Sequence, residues 1–255
     1  MALEQTGFRK SLHWVIFVLL LIAMVILQSS AIGMRSFWED EAFTAQVVKD
    51  DPDSIVQRLA KDVHPPLYWL FASSWSKAFG GDEWGLKTFS LFCLGLVFVF
   101  TYKLALDLFD SQVALISVSL LVFSPLVLTY GHNARYYSLS AALSLLVVLV
   151  VNAYVETNKW LYLGVYVLSA SALLYTLYIG AALLLAINIW WFIQWLRQKK
   201  KFTQFLLWSG AQIAVLLLYI PWFSTFFVIS RQGHMTQRRL HAMADSICNR
   251  RQRLF

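Results

Sequence analysis

The sequence predicts an all-α polytopic membrane protein, and three observations support this prediction. The chain has 255 residues, of which 59% are hydrophobic and only 14% are charged. An average soluble domain carries roughly 25% charged residues, so this chain lacks the polar surface that a water-soluble globule needs. Apolar stretches of about 18 residues or more with almost no charge recur along nearly the whole chain, and stretches of that length cross a bilayer as helices.

About seven spans are predicted from these stretches. They cover residues 12–34, 87–108, 113–130, 137–155, 160–177, 180–196 and 203–229. The first stretch is longer than the roughly 7–15-residue apolar core of a signal peptide, and more spans follow it, so we expect a retained helix. The break between the fifth and sixth spans depends on length, because residues 160–196 are too long for one crossing.

The positions of lysine and arginine predict the orientation. A basic pair precedes the first span, and the basic run at 197–201 follows the sixth. An even number of crossings separates these clusters, so both lie on one face, which the positive-inside tendency makes cytoplasmic. Residues 35–86 and the links around Arg135 and Tyr178 then share the outer face.

Residues 35–86 form the one long connection between the predicted spans. Apolar residues at helical spacing within it predict short amphipathic helices on the membrane surface: Ala45, Val48, Ile55, Val56 and Leu59. A long structured loop among short ones is usually functional, so this extracytoplasmic loop is where we expect a site.

The C-terminal residues differ from the rest. Residues 233–255 are polar and basic, with five arginines, and they follow an odd number of predicted spans. They would therefore lie outside, against the positive-inside tendency. A truncated or out-of-frame end is the favoured explanation, and a genuine extracytoplasmic tail is the alternative. We thus predict a transmembrane module over residues 1–232 and an atypical basic tail over 233–255.

Several classes of function are disfavoured. The net charge of +7 lies mostly beside spans and in the tail, which does not predict a nucleic-acid partner. The two cysteines, Cys93 and Cys248, form neither a disulfide framework nor metal-ligand spacing. The sequence contains no P-loop, GxGxxG or HExxH pattern, which disfavours an ATP-driven pump and a zinc protease.

Three groups of polar residues fall on the predicted outer face. Asp40 and Glu41 follow the first span, and are either the solvated start of a loop or an acid pair at a dry boundary, where a carboxylate can accept a proton. Asp62 and His64 precede two prolines, which predicts either a simple turn or a rigid mount for the histidine. Arg135 lies between two spans, where it either extends to lipid headgroups or binds phosphate through its fork of donors.

Taken in order, five segments resemble the dolichyl-phosphate-mannose–protein mannosyltransferase-like family, which is bacterial glycosyltransferase family 39 of the GT-C superfamily. The segments are FWEDEAFTA, DVHPPLYWLFASSWSKAFGGDEWGLKTFSLFCLG, SPLVLTYGHNARYYSL, LLYTLYIG and YIPWFSTFFVISRQ, and the similarity covers residues 10–232. The aminoarabinose transferases of lipid A are also similar. The resemblance implies a GT-C-type helix bundle with a catalytic module at 1–232, and it identifies the chain as a C-terminally truncated member.

The resemblance also implies a reaction and a site. A polyprenyl-phosphate-linked sugar would be the donor, and a protein, lipid or glycan hydroxyl outside a bacterial cytoplasmic (inner) membrane would accept the sugar with inversion. Asp40 would be the general base, and Glu41 would orient the acceptor or the loop. Further residues would bind the substrates: Asp62, His64, Arg135, Tyr136 and Tyr178. Arg135 would neutralise the donor phosphate.

Two departures from the family pattern concern the acceptor and the sugar. His132 and Asn133 stand where a Gln-Glu pair is usual, and Leu177 replaces a common histidine. No cofactor is specified by the sequence, and a divalent cation is left open.

Two functions other than sugar transfer are alternatives. A transporter or flippase of lipid-linked substrates predicts charged groups or broken helices at span centres. The other alternative function is that of a non-catalytic membrane scaffold.

Overall fold

The structure is a computed structural model that describes residues 2–32, 36–62, 64–198 and 201–225. Its described residues form helices and contain no strand, which confirms the all-α prediction. The helices are α1 Ala2–Ile32, α2 Glu39–Val47, α3 Pro52–Lys61, α4 Leu67–Phe79, α5 Glu83–Leu108, α6 Ser111–Val122, α7 Pro125–Tyr130, α8 Tyr137–Thr157, α9 Trp160–Leu174, α10 Gly180–Arg197 and α11 Phe202–Thr225. The predicted tail at 233–255 lies outside the described residues.

Five of the described helices are long and apolar enough to cross a membrane. They are Leu12–Ile32 within α1, together with α5, α8, α10 and α11. These helices correspond to the first, second, fourth, sixth and seventh predicted spans. The chain is therefore a polytopic helical membrane protein.

The third and fifth predicted spans are shorter than the sequence suggested. The third is divided between α6 and α7, because Pro125 lacks an N–H and holds Ser124 in extended conformation, with ψ at 122°. The 12 residues of α6 and the 15 of α9 rise only about 18 and 22 Å, against a hydrocarbon thickness of about 30 Å. Both helices nevertheless pack inside the bundle.

Two apolar clusters hold the spans together. One joins α1, α5 and α6 through residues that include Phe17, Phe98 and Val118, all almost completely buried. The other joins α8, α9, α10 and α11, where the rings of Trp191 and Trp208 stack with centroids 4.7 Å apart. Aromatic pairs of this kind stabilise a contact by about 0.5–1.5 kcal/mol beyond the area they bury.

A third apolar cluster covers one end of the bundle and includes the long connection. Helix α3 begins at Pro52, and the side chain of Asp51 caps it by accepting the N–H of Ser54 at 2.9 Å. Its Ile55 and Leu59 are fully buried in the cluster with residues of α4 and α5. The predicted amphipathic helix is present, but its apolar side packs on protein instead of lying on the membrane surface.

The three segments predicted to share a face do lie together at this end. The N–H of Leu67 at the start of α4 donates to the carbonyl of Tyr175 at 3.0 Å, in the break between α9 and α10. The link between α7 and α8 contributes Ala134 to the same apolar cluster. At the other end, Gln204 Nε2 donates to Asn158 Oδ1 at 2.8 Å. The long connection and both links therefore meet at one end of the bundle.

Candidate functional site

Three consecutive acids form the first turn of α2, where the helix dipole favours negative charge. A helix turns by about 100° per residue, so neighbouring side chains point in different directions. Glu39 is exposed, the Asp40 side chain is 47% exposed, and the Glu41 side chain is only 3% exposed. The three carboxylates therefore have different surroundings and different chemical possibilities.

Asp40 lies beside the guanidinium of Arg135, which belongs to the link between α7 and α8. The nearest atoms, Asp40 Oδ2 and Arg135 Nη2, are 3.7 Å apart, and Nη1 donates to the Asp40 carbonyl at 3.4 Å. Charge-assisted hydrogen bonds are usually about 2.7–2.9 Å long, so both contacts are loose. The structure thus brings together two predicted site residues, one from the long connection and one from the link between α7 and α8.

The environment of Arg135 is apolar and aromatic. Its side chain is 6% exposed, and its Cζ lies 5.6 Å from the ring centroid of Trp69 and 5.1 Å from that of Tyr136. The Nε of Arg135 is buried and has no hydrogen-bond partner among the residues that the structure describes. Burying a cation costs free energy unless an anion and hydrogen bonds compensate for it. A guanidinium with these loose contacts is therefore suited to binding a further anion.

The Glu41 carboxylate is buried, and its contacts differ from those of Asp40. Its Oε1 accepts the N–H of Ala134 at 2.8 Å, and its Oε2 lies 4.0 Å from Nζ of Lys87 and accepts the N–H of Trp38 at 3.4 Å. The Lys87 side chain is 2% exposed, and its Nζ also donates to the carbonyl of Ile32 at 3.5 Å. This buried carboxylate ties α2 to the residue that precedes Arg135, so it holds both members of the Asp40–Arg135 pair in place.

A second anchor holds the Arg135 link from α1. Gln28 is 1% exposed, and its Nε2 donates to the carbonyl of Val127 at 2.9 Å. Its Oε1 lies 2.7 Å from Nδ1 of His132, which therefore carries the proton. Ser138 Oγ donates to the carbonyl of Gly131 at 2.8 Å. The link is thus fixed from α1, α2 and α8, which keeps Arg135 in a defined position.

His64 lies next to the same aromatic side chains, and Asp62 contacts His64. Nδ1 of His64 is 2.8 Å from the Asp62 carbonyl and 3.2 Å from Asp62 Oδ2. The His64 ring centroid is 5.5 Å from that of Trp69 and 6.3 Å from that of Tyr136. The imidazole of His64 therefore lies within the aromatic environment of Arg135, and its contact with Asp62 is compatible with both the turn and the rigid mount considered from the sequence.

Tyr178 lies in the break between α9 and α10. Its hydroxyl accepts a hydrogen bond from Nε1 of Trp222 at 3.1 Å. Trp222, on α11, is 3% exposed and belongs to the apolar cluster that contains Trp69 and Ala134. Burial raises the pKa of the Tyr178 phenol, so it stays a neutral hydrogen-bonding group at physiological pH.

A cavity of about 510 Å³ lies against α1, α2 and α7 at this end of the bundle. Glu41, Lys87 and His132 line it, and the partly exposed rings of Trp38 and Tyr130 stand at its wall. Ligand pockets typically measure about 300–1,000 Å³ and combine apolar walls with a few polar groups. This cavity is therefore large enough for a sugar ring and offers both kinds of contact.

The arrangement supports proton transfer and anion binding. It provides a half-exposed carboxylate on α2, a buried guanidinium on the link between α7 and α8, and a cavity nearby. Among the residues that the structure describes, no group of three His, Cys, Asp or Glu side chains is placed to hold a metal ion.

Two important residues were missed by the sequence analysis. Lys87 was counted within an apolar span, although a lysine in such a stretch is itself a signal of function or pairing. Trp69, fully buried beside Arg135 and His64, had no signal that distinguished it from the many other aromatic residues.

One comparison with known proteins identifies a likeness. A family model described as dolichyl-phosphate-mannose-protein mannosyltransferase matches residues 63–224, which is more than half of the chain. The matched region contains His64, Arg135 and Tyr178, and it begins after Asp40 and Glu41. No curated protein and no solved structure gives a significant match.

Proposed function

The chain belongs to the dolichyl-phosphate-mannose-protein mannosyltransferase family, and from this membership we propose that it transfers a sugar from a polyprenyl-phosphate-linked donor. The acceptor is a hydroxyl of a protein, lipid or glycan on the outer face of a bacterial cytoplasmic membrane. The family supports a membrane glycosyltransferase; the donor, the acceptor and the site residues are our proposal.

The observation that carries the proposal is the pairing of Asp40 with Arg135. Asp40 is half-exposed and able to reach a substrate, whereas the guanidinium is buried against aromatic rings. One group is a proton acceptor and the other is a fixed positive charge, which are the two functions that sugar transfer from a phosphate requires. Lipid-linked donors also explain why the site lies at the end of a membrane bundle.

In the proposed reaction, Asp40 accepts the proton of the acceptor hydroxyl. The hydroxyl oxygen forms a bond to the anomeric carbon, while the bond from that carbon to the phosphate oxygen breaks. The electron pair leaves with the polyprenyl phosphate, and attack from the opposite side inverts the anomeric configuration. Arg135 stabilises the negative charge that develops on the phosphate as it leaves. The sugar–phosphate bond of the donor supplies the driving force, so the reaction requires no nucleotide.

The other residues have supporting roles in this proposal. Glu41, held by Lys87, orients α2 and the Arg135 link, because its carboxylate contacts both. Asp62 and His64 line the donor and acceptor site beside the aromatic rings. Tyr136 faces the guanidinium, and Tyr178 offers a neutral hydroxyl at the same end of the bundle.

The proposal is tested by incubating membranes that contain the protein with radiolabelled polyprenyl-phosphate sugars. Asp40→Asn removes the proton acceptor with little change in shape, and general bases contribute about 10²–10⁴-fold to rate, so transfer should fall by that factor. Glu39→Gln is the matched control, since it removes the same charge from the preceding, exposed residue. Full transfer by Asp40→Asn would refute the assignment of the base. Uptake of the labelled lipid without covalent transfer would instead favour a transporter.

A further inference from the structure

Asp40 and Arg135 are too close together to act at the same time in the proposed transfer. In an inverting displacement, the base contacts the acceptor oxygen while the cation contacts the phosphate on the other side of the anomeric carbon. A base reaches about 2.6–3.2 Å to the acceptor oxygen, and reacting atoms begin about 3–3.5 Å apart. A straight path from the base oxygen, through the acceptor oxygen, the anomeric carbon and the phosphate oxygen, to the cation therefore measures about 10 Å. In the structure, Asp40 Oδ2 and Arg135 Nη2 are only 3.7 Å apart.

The two side chains differ in their freedom to separate. Arg135 is 6% exposed and lies against Trp69 and Tyr136, and its link is fixed through the Glu41–Ala134 hydrogen bond. The Asp40 side chain is 47% exposed, and the structure gives it one loose contact with Nη2. The guanidinium is therefore the fixed member of the pair, and the carboxylate is the one that can rotate away.

The contacts of Arg135 also favour replacement of the carboxylate by a phosphate. Asp40 approaches the guanidinium with a single carboxylate oxygen, and within the described part of the chain the buried Nε has no hydrogen-bond partner. The two free oxygens of a phosphodiester match the guanidinium fork in a bidentate contact, which is shorter and stronger than a single contact at 3.7 Å. Nη1 also donates to the Asp40 carbonyl at 3.4 Å, a contact between α2 and Arg135 that does not involve the carboxylate.

We propose that the Asp40 carboxylate occupies the anion-binding position of Arg135 in the absence of substrate, and that the phosphate of the lipid-linked donor displaces it. The inference rests on the proposed function, since it concerns the same donor. Displacement frees the Asp40 carboxylate from the guanidinium, so that it can turn toward the acceptor hydroxyl. The donor therefore binds first and prepares the base, and the acceptor hydroxyl is deprotonated only when the donor is present.

The test measures binding instead of transfer. Farnesyl phosphate, a short polyprenyl monophosphate, is titrated into the purified protein in detergent at fixed ionic strength. Asp40→Asn removes the competing anion and should bind farnesyl phosphate about fivefold more tightly than the wild type, which is the upper end of what half-exposed ion pairs contribute. Glu39→Gln removes the same charge one residue earlier, so its dissociation constant should stay within about twofold of the wild-type value.

Two further variants separate this inference from the proposed function. Arg135→Gln should lose the binding, and the double variant Asp40→Asn/Arg135→Gln should bind no better than Arg135→Gln alone. If Arg135→Gln loses binding but Asp40→Asn gains none, the displacement is refuted while the phosphate site stands. If Arg135→Gln binds farnesyl phosphate like the wild type, both the phosphate site and the displacement are refuted. An equal gain in Glu39→Gln would show a general effect of charge and would also refute the displacement.

Discussion

The buried pair of Glu41 and Lys87 makes a strong prediction about stability. Their side chains are 3% and 2% exposed, and Oε2 of Glu41 lies 4.0 Å from Nζ of Lys87. Lys87→Met keeps most of the apolar volume but leaves the carboxylate of Glu41 buried without its cation. Removing one partner of such a pair costs about 3–5 kcal/mol, because the remaining charge is desolvated and uncompensated.

The double variant Glu41→Gln/Lys87→Met separates charge from shape. The glutamine side-chain oxygen can still accept the N–H of Ala134, which Glu41 holds at 2.8 Å, and neither position then carries a charge. Replacing both members of a buried pair by neutral residues is often close to neutral, so this variant should recover most of the stability that Lys87→Met loses.

Thermal unfolding in detergent is the assay. For a chain of this size, 1 kcal/mol corresponds to about 2–4 °C, so a loss of about 3–5 kcal/mol should lower the unfolding temperature of Lys87→Met by about 6–20 °C relative to the wild type. The double variant should lie within about 4 °C of it. Lys77→Met is the matched control, because Lys77 is exposed on α4 and exposed substitutions change stability by about 0.5 kcal/mol or less. If the double variant is as unstable as Lys87→Met, or if Lys87→Met resembles Lys77→Met, the pair does not stabilise this site as we argue.

Three other predictions address the Arg135 link and the orientation. Arg135→Lys keeps the charge but loses the planar fork, so sugar transfer measured with radiolabelled donor should fall at least tenfold while the unfolding temperature changes little; unchanged transfer would argue against bidentate binding. Gly131→Ala places a Cβ 2.5 Å from the carbonyl of Val127, so thermal unfolding should show a loss of about 1–3 kcal/mol, and wild-type stability would contradict the tight packing. Asp53 and Glu156 are exposed at opposite ends of the bundle, so they report the orientation of the chain in the membrane. In a Cys248→Ser background, an impermeant maleimide applied to intact spheroplasts should label Asp53→Cys but not Glu156→Cys. The reverse labelling pattern would show the opposite orientation.

The span positions were predictable because they depend on local composition. Long apolar runs cross membranes as helices whatever they pack against, and five of the predicted spans met this condition. The break between α9 and α10 was also predictable from length alone. The third predicted span contains Pro125, and because proline lacks an N–H and restricts the residue before it, the apolar stretch is divided between α6 and α7.

The contacts of the site were much less predictable, because they join residues that are distant in the chain. Ala134 and Glu41 are 93 positions apart, and only the packing of α2 against the link makes one the partner of the other. The same packing buried the apolar side of α3, which local periodicity alone had assigned to the membrane surface. Periodicity identifies an apolar side correctly but does not state what covers it.

The contacts of α2 connect the part of the chain outside the family match to the part inside it. Asp40 and Glu41 precede the matched residues 63–224, so the match by itself does not reach the proposed base. Three of their partners, however, lie inside the match: Arg135, Ala134 and Lys87. Two neighbouring acids on one helical turn thus have opposite surroundings. The Glu41 carboxylate is buried and held by Ala134 and Lys87, whereas the Asp40 side chain is half-exposed and has one loose contact with Arg135.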